Sequence, residues 1–217
     1  MLGKMLSIVL TGAALLSGSK NAALPEKDID GTIFLVNRQH VISEQYVPEP
    51  LRKTQVHGMS QSMREDAATA LEELFQAAQA DGIKLSSVSG YRSYSKQSLL
   101  YDRKTKRTGS ETEADKLVAR PGASEHQLGL AMDLATRNSS TLSEKFGSTP
   151  EGQWVYANCQ RFGFIVRYLK GYEDVTGYSY EPWHIRYVGR ENRRRNSLLK
   201  DSSNNRIWDN WKFRKME

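Results

Sequence analysis

Residues 124–133 read SEHQLGLAMD and place a histidine and an aspartate seven positions apart, with a glycine between them. A second stretch, EPWH at residues 181–184, adds a histidine that follows a carboxylate by three positions. Catalytic zinc sites commonly use three nitrogen or oxygen ligands and keep a fourth position open for water. The predicted ligands are His126, Asp133 and His184. The remaining carboxylate, Glu181, is then available for acid–base chemistry.

The spacing of His126 and Asp133 argues against a single regular element. Residues seven apart on a straight strand are roughly 23 Å apart and face opposite ways. On a helix they are about 10 Å apart along the axis. A turn brings them together, and Gly129 permits one at little conformational cost. We therefore expect His126 on a loop that bends at Gly129 into a short strand, 130–134, which carries Asp133.

Glu181 and His184 raise a similar question, because residues three apart on a strand point to opposite faces. Pro182 interrupts the hydrogen-bond ladder and favours an extended or turn conformation at the residue before it. We expect Glu181 just before the strand that carries His184, with both side chains turned into one cleft.

Three short stretches, taken in order, carry a resemblance to a known family. They are SGYRS at 89–93, SxHxxGxAxD at 124–133 and EPWH at 181–184. Over roughly residues 31–189 the chain resembles the VanY-type D-alanyl-D-alanine carboxypeptidases, zinc peptidases of bacterial cell-wall metabolism. We expect a single α+β domain in which helices flank a small, mainly antiparallel sheet, with a zinc cleft across the strand ends.

The resemblance also implies which residues bind the substrate. A carboxypeptidase needs a fixed cation for the terminal carboxylate, and the planar fork of arginine offers two parallel donors. The resemblance gives this role to Arg92, and Gln97 and Ser124 match positions that line the same pocket. Three aromatic residues are open between substrate contact and ordinary core packing: Tyr168, Tyr178 and Trp183.

The function expected is zinc-dependent removal of the C-terminal D-alanine from peptidoglycan stem peptides, with Glu181 as general base. An L,D-carboxypeptidase or an endopeptidase on the same stem stays open as an alternative. A non-catalytic, zinc-stabilised wall-binding module is an alternative of another class, and the presence of Glu181 argues against it. Glu125 is expected to point away from the site, because it is the immediate neighbour of His126.

The 217 residues suffice for one domain with a sizeable core. The apolar run near the N-terminus is shorter than the roughly 20 residues of a membrane span, so it predicts an export signal or an N-terminal membrane anchor. We expect an exported, monomeric protein of the cell envelope. The expected divisions are a signal or anchor at 1–23, an extended lead-in at 24–59, the zinc carboxypeptidase domain at 60–189 and a basic tail at 190–217.

The distribution of charge limits the expected binding partners, and the cysteine content limits the possible disulfides. Residues 190–217 hold nine Lys and Arg against four Asp and Glu, which is most of the net charge of +6. A solvated tail, or one that contacts anionic wall polymers, is favoured over nucleic-acid binding. The single cysteine, Cys159, excludes an intramolecular disulfide and is expected to be a small buried residue.

Hydrophobic periodicity and breaker residues predict the remaining elements. The first helix is expected to begin at Ser60 or Ser62 and to end at Asp81-Gly82. Further helices are predicted at 94–106, 111–118 and 149–161, strands at 33–36, 83–88 and 164–168, and a hairpin or loop at 171–180.

Overall fold

The structure, a computed structural model, describes residues 29–190. The strands are β1 (Leu51–Lys53), β2 (Ser62–Arg64), β3 (Leu85–Ser89), β4 (Ala131–Thr136), β5 (Phe164–Tyr168) and β6 (Glu181–Tyr187). The α-helices are α1 (Glu65–Ala80), α2 (Tyr94–Thr108), α3 (Glu111–Leu117), α4 (Pro150–Asn158) and α5 (Glu173–Thr176). Short 3-10 helices span Glu125–Leu128, Glu144–Ser148 and Cys159–Phe162.

The four longer strands form one sheet in the order β3-β4-β6-β5, and every neighbouring pair is antiparallel. Strands β1 and β2 form a separate antiparallel pair just before α1. A small antiparallel sheet accompanied by helices confirms the predicted α+β class.

The two faces of the sheet have different roles, because successive side chains on a strand point to opposite sides. Met132, Leu134 and Ile185 are buried in the main apolar core. The helix α1 contributes Ala67, Ala70, Leu71, Leu74 and Ala78 to the same core. Asp133 and His184 alternate with these apolar residues and therefore lie on the opposite face of the sheet.

The predicted start of α1 at Ser60 or Ser62 is wrong. Ser62 pairs with Lys53 between β1 and β2, so its backbone is extended, and the helix begins only at Glu65. The predicted end is confirmed, because the helix stops at Ala80 and the following turn places Gly82 at a φ of +76°.

The predicted strand at 33–36 is also wrong, although its apolar residues are buried. Phe34 and Val36 pack into the core, but their segment has no strand partner among the described residues. The guanidinium of Arg186 donates to the carbonyl oxygens of Thr32 and Phe34, at 3.0 and 2.9 Å. A buried side chain thus provides hydrogen bonds that a sheet neighbour would have made.

Most of the other predicted elements are confirmed, with small shifts of their ends. They are the helices at 94–106, 111–118 and 149–161 and the strands at 83–88, 130–134 and 164–168. The segment 171–180 contains the one-turn helix α5 rather than a hairpin. Cys159 is buried, as expected.

The predicted export signal or anchor, the start of the lead-in and the basic tail beyond Arg190 lie outside the described residues. From residue 29 to residue 190, the chain has no helix with both the length and the apolar character that a membrane crossing requires.

Candidate metal and catalytic site

His126 is placed by one turn of 3-10 helix rather than by a plain loop. The Ser124 hydroxyl lies at the start of this turn and accepts a hydrogen bond from the backbone N–H of His126 at 3.4 Å. The turn ends at Gly129, whose φ of +67° is the left-handed conformation that favours glycine. The predicted bend at Gly129 is confirmed, and it leads through Leu130 into β4.

The imidazole of His126 is held in one orientation by the backbone. Its Nδ1 lies 2.8 Å from the carbonyl oxygen of Gly90, which can only accept a hydrogen bond. Its Nε2 therefore carries the free lone pair and lies 3.3 Å from Oδ2 of Asp133. Only a residue without a side chain fits at position 90, because a Cβ there would lie 2.5 Å from the carbonyl oxygen of Ser62.

Asp133 and His184 meet through strand pairing. They are direct partners in the β4–β6 ladder, and Nδ1 of His184 lies 3.1 Å from Oδ1 of Asp133. One ligand atom from each of His126, Asp133 and His184 lies within 4.8 Å of the other two, and all three residues are buried. Ligand atoms about 2.0–2.2 Å from a zinc ion lie about 3–4 Å apart, so this cluster can hold such an ion after a small contraction.

Glu181 also faces the cluster, through an irregularity in the sheet. Glu181 pairs with Tyr168, and Ile185 pairs with Val166. Between these two pairs β5 has one residue, Arg167, whereas β6 has three. Within this irregular stretch Glu181 lies on the same side as His184, and its Oε2 lies 4.0 Å from Nδ1 of His184. Glu181 is the first residue of β6 rather than the residue before it.

The surroundings of Glu181 favour its protonated form. Burial raises the pKa of its carboxyl to about 7, and the negative charge of Asp133 adds to the shift, although the positive charges of His184 and Arg92 oppose it. A carboxyl that titrates near neutral pH is suited to accept and return a proton.

Arg92 lies at the edge of the same cluster. Its guanidinium donates to Oε1 of Gln97 and to the Ser89 hydroxyl, each at 2.8 Å. It also lies 3.8 Å from Oδ2 of Asp133. Burial lowers the pKa of Arg92, against the opposing charges of Asp133 and Glu181.

Gln97 contacts Arg92, and Ser124 contacts His126. The side-chain N–H of Gln97 donates to the carbonyl oxygen of Ala119 at 2.6 Å, while its oxygen accepts from Arg92. Both Gln97 and Ser124 are almost fully buried. Their observed partners are thus protein groups that orient Arg92 and His126, and direct contact with a substrate stays a prediction.

Glu125 is the residue at the site that sequence reasoning missed. It is fully buried, and its Oε2 lies 3.4 Å from Nε2 of His184, on the side of the ring away from Asp133. Its Oε1 accepts from Nε of Arg167 at 2.7 Å and lies 3.1 Å from a terminal nitrogen of Arg186. The expectation that Glu125 points away from the site was wrong.

The charges around His184 set its ionisation in the absence of a metal. Burial alone would lower the pKa of His184, but hydrogen bonds to Asp133 and Glu125 outweigh it and raise the pKa to about 9. Burial likewise opposes ionisation of Asp133 and Glu125. Nevertheless, the two histidines hold the pKa of Asp133 well below its usual range, and Arg167 and Arg186 do the same for Glu125.

The three aromatic residues left open by the sequence divide into two groups. Tyr168 and Tyr178 are buried, with ring centroids 5.0 Å apart, and the Tyr168 ring lies 5.0 Å from that of His184. Trp183 packs against the apolar core on the other face of the sheet. Of the three, Tyr168 therefore lies beside a metal ligand, and Tyr178 packs against Tyr168.

Comparison with known proteins gives a consistent result. The family model described as VanY, D-alanyl-D-alanine carboxypeptidase, matches residues 60–190. A D-alanyl-D-alanine carboxypeptidase of Enterococcus faecalis is 41% identical over 171 residues, which are 74% of this chain and 59% of that protein. The chain spans about three-fifths of the length of this and another curated relative that it matches, 59% and 62%.

Two solved structures are similar in fold and in sequence. The LdcB LD-carboxypeptidase has a TM-score of 0.73 and 42% identity, over 80% of this chain and 82% of that one. A mutant of the vancomycin-resistance D,D-pentapeptidase VanY, in complex with Zn(II), has a TM-score of 0.64 and 37% identity, over 76% and 92% of the two chains. With a family model that covers more than half of its residues, the chain belongs to the VanY family of D-alanyl-D-alanine carboxypeptidases.

Proposed function

We propose that the protein is a zinc-dependent carboxypeptidase that removes the C-terminal D-alanine from peptidoglycan stem peptides. The observation that carries the proposal is the position of Glu181, whose carboxylate lies 4.0 Å from Nδ1 of His184 beside three converging ligand atoms. A site that only bound metal would have no need of a further carboxyl with a pKa near 7 beside the three ligands.

The donors fit zinc. Two imidazole nitrogens and one carboxylate oxygen are typical zinc ligands in hydrolases, and the Nδ1–H of His126 has the backbone acceptor that commonly orients such a ligand. His126, Asp133 and His184 would hold the ion. When bound, zinc supplies Lewis acidity toward the scissile carbonyl and lowers the pKa of water.

Glu181 performs the proton transfers of the proposed reaction. As the water oxygen attacks the scissile carbonyl carbon, the Glu181 carboxylate accepts a proton from that water. When the C–N bond breaks, the carboxyl returns the proton to the departing amine of the terminal alanine. One residue thus acts first as base and then as acid.

Arg92 supplies the selectivity for a chain end. Its guanidinium lies 3.8 Å from a metal-ligand carboxylate, so a substrate carboxylate bound to it would place the last peptide bond beside the ligands. Charge-assisted pairing with a terminal carboxylate excludes longer C-terminal extensions and favours release of one residue. This arrangement argues against the endopeptidase alternative.

L,D-carboxypeptidase activity is the second candidate. The observation that favours it is the similarity to the LdcB LD-carboxypeptidase, which exceeds that to VanY in both identity and TM-score. The family model and the Enterococcus faecalis relative favour D,D cleavage. Because both activities act on the stem peptide, we further propose that the protein works outside the cytoplasm.

The proposal is tested by digestion of defined muropeptides with pentapeptide and tetrapeptide stems, with products identified by mass. Loss of one alanine from the pentapeptide, abolished by a chelator and restored by zinc, is the expected result. Alanine lost only from the tetrapeptide would shift the assignment to L,D cleavage. Failure to cleave either stem by the zinc-loaded protein would contradict the enzyme and favour the wall-binding module.

A further inference from the structure

Glu125 uses both of its oxygens, and they face different kinds of donor. Oε1 accepts from Nε of Arg167 at 2.7 Å and lies 3.1 Å from Arg186. Oε2 faces Nε2 of His184 at 3.4 Å. An ionised carboxylate has no hydrogen to donate, so the contact with His184 requires that Nε2 carries the proton.

The carboxylate of Glu125 is held in place from two strands. Arg167 lies on β5 and Arg186 on β6, and the side chains of all three residues are at most 4% exposed. Arg186 is itself fixed, because it donates to the carbonyl oxygens of Tyr187, Thr32 and Phe34. Glu125 therefore cannot swing away from His184 without giving up its ion pairs with two buried arginines.

The two histidines of the metal site present different ring nitrogens to Asp133. In His126 the Nδ1 side faces the Gly90 carbonyl, and Nε2 faces Asp133. In His184 the Nε2 side faces Glu125, and Nδ1 faces Asp133. In the neutral imidazole that a metal ligand must be, a protonated Nε2 leaves the lone pair of His184 on Nδ1, where it faces the other ligand atoms.

We propose that Glu125 is the positioning residue of the metal site, because it fixes His184 in the tautomer that presents Nδ1 to the ion. The inference rests on the proposed zinc function and deepens it. Acceptors that hold the outer N–H of a ligating histidine orient the ring, and their loss commonly weakens metal binding 10- to 100-fold.

Glu125→Gln tests this role with little change of shape. The two arginines attract the amide oxygen, so the amide NH2 turns toward Nε2 of His184. That nitrogen must then accept, the proton moves to Nδ1, and the lone pair needed by the metal is lost. We expect zinc affinity, measured by competition with a chromogenic chelator, to fall about 10- to 100-fold.

Asp66→Asn is the matched control. Asp66 makes a bidentate pair with the buried Arg64, at 2.8 and 2.6 Å, and neither residue contacts a metal ligand. This variant should lose stability but keep the zinc affinity of the wild type. A folded Glu125→Gln protein with wild-type zinc affinity would overturn the proposal.

A measurement on the unmodified protein keeps the proposal testable even if Glu125→Gln does not fold. In the zinc-loaded protein, 15N NMR of the histidine side chains distinguishes metal-bound, protonated and free ring nitrogens. We expect zinc on Nδ1 of His184, with a proton on Nε2, and zinc on Nε2 of His126. Zinc on Nε2 of His184 would overturn the proposal while leaving the proposed carboxypeptidase activity intact. A wild-type protein that binds no zinc would overturn both.

Discussion

His184 lies between a fully buried glutamate, Glu125, and a partly buried one, Glu181, and the regions around them differ in their counter-charges. On the side of Glu125, two arginines and the imidazole surround the carboxylate and hold its pKa well below the usual range, although burial opposes this. On the side of Glu181, burial raises the pKa to about 7, and the opposing charges of His184 and Arg92 do not cancel that shift. The surroundings thus favour the ionised form of the carboxyl at Glu125 and raise the pKa of the same group at Glu181.

The difference in surroundings predicts a difference in role. A carboxylate that never changes its protonation state can orient a ligand but cannot transfer a proton. A carboxyl that titrates near the working pH can do so. The side chain of Glu181 also keeps 17% of its surface exposed, whereas that of Glu125 is completely buried, so only Glu181 is open to water or substrate.

The largest expected effect comes from removing the titratable carboxyl. Glu181→Gln should lower kcat on the pentapeptide stem about 10²- to 10⁴-fold, the usual contribution of a general base. Zinc content, measured by atomic absorption, should stay at the wild-type level, because Glu181 is not one of the three proposed ligands. A Glu181→Gln variant that retained full turnover would show that Glu181 is not the general base.

A smaller loss is expected from Arg92→Lys, which keeps the positive charge but loses the planar fork. We expect kcat/KM to fall about 10- to 100-fold, consistent with the loss of a charge-assisted hydrogen bond. Arg52→Lys is a matched control, because Arg52 makes a bidentate pair with Glu72, at 2.7 and 2.9 Å, away from the site. Equal losses in both variants would mean that Arg92 acts only through stability.

The pH dependence of kcat/KM follows from the ionisation of Glu181. The base must be deprotonated, so activity should fall about tenfold per pH unit below its pKa. Burial raises this pKa from 4.5 to about 7, and a bound cation would lower it again. We therefore expect the acid limb between pH 4.5 and 7. A Glu181→Asp variant with measurable activity should shift the limb, and an unchanged limb would assign it to another group.

The smallest effect is on the stability of the zinc-free protein. A carboxyl whose pKa is raised by folding stabilises the protein below its unfolded pKa, and that contribution is lost as the pH rises through 7. Glu181→Gln removes the charge that is unfavourable when buried. We therefore expect the free energy of unfolding to rise by on the order of 1–3 kcal/mol at pH 8, relative to the wild type. Urea unfolding at pH 8 and at pH 4.5 should show the gain only at pH 8.

The sequence predicted the parts of the site that depend on local geometry. The spacing of His126 and Asp133 requires a turn, Gly129 permits it, and the structure contains a left-handed glycine there. Alternating side chains on β4 and β6 then follow from strand periodicity. The direction of Glu181 was expected from Pro182, whereas the role of Arg92 came from the family resemblance and does not follow from spacing.

The contacts of Glu125 could not be predicted in the same way, because they depend on the register of distant strands. Arg167 lies in the irregular stretch of the β5–β6 pairing, and Arg186 lies on β6 opposite Ala131 of β4. One signal was present in the sequence. Arginines inside two predicted or expected strands imply buried cations, which need a buried carboxylate as partner.

The errors in the fold have a common cause. Ser62 is a residue type that favours a helix N-cap, but pairing with β1 keeps its backbone extended. The short apolar run at 33–36 predicts a strand, but Arg186 binds the carbonyl oxygens of Phe34 and of Thr32 just before the run. In both segments a tertiary hydrogen bond overrode the local preference.

The division of labour between the two glutamates is tested most directly by measuring kcat and the zinc dissociation constant for Glu181→Gln and Glu125→Gln side by side. The predicted result is a crossed pattern. Glu181→Gln should lose turnover and keep zinc affinity, whereas Glu125→Gln should lose zinc affinity and recover much of its turnover at saturating zinc. If both variants lost turnover and kept zinc affinity, or both lost zinc affinity and recovered turnover at saturating zinc, the proposed roles of the two glutamates would be contradicted.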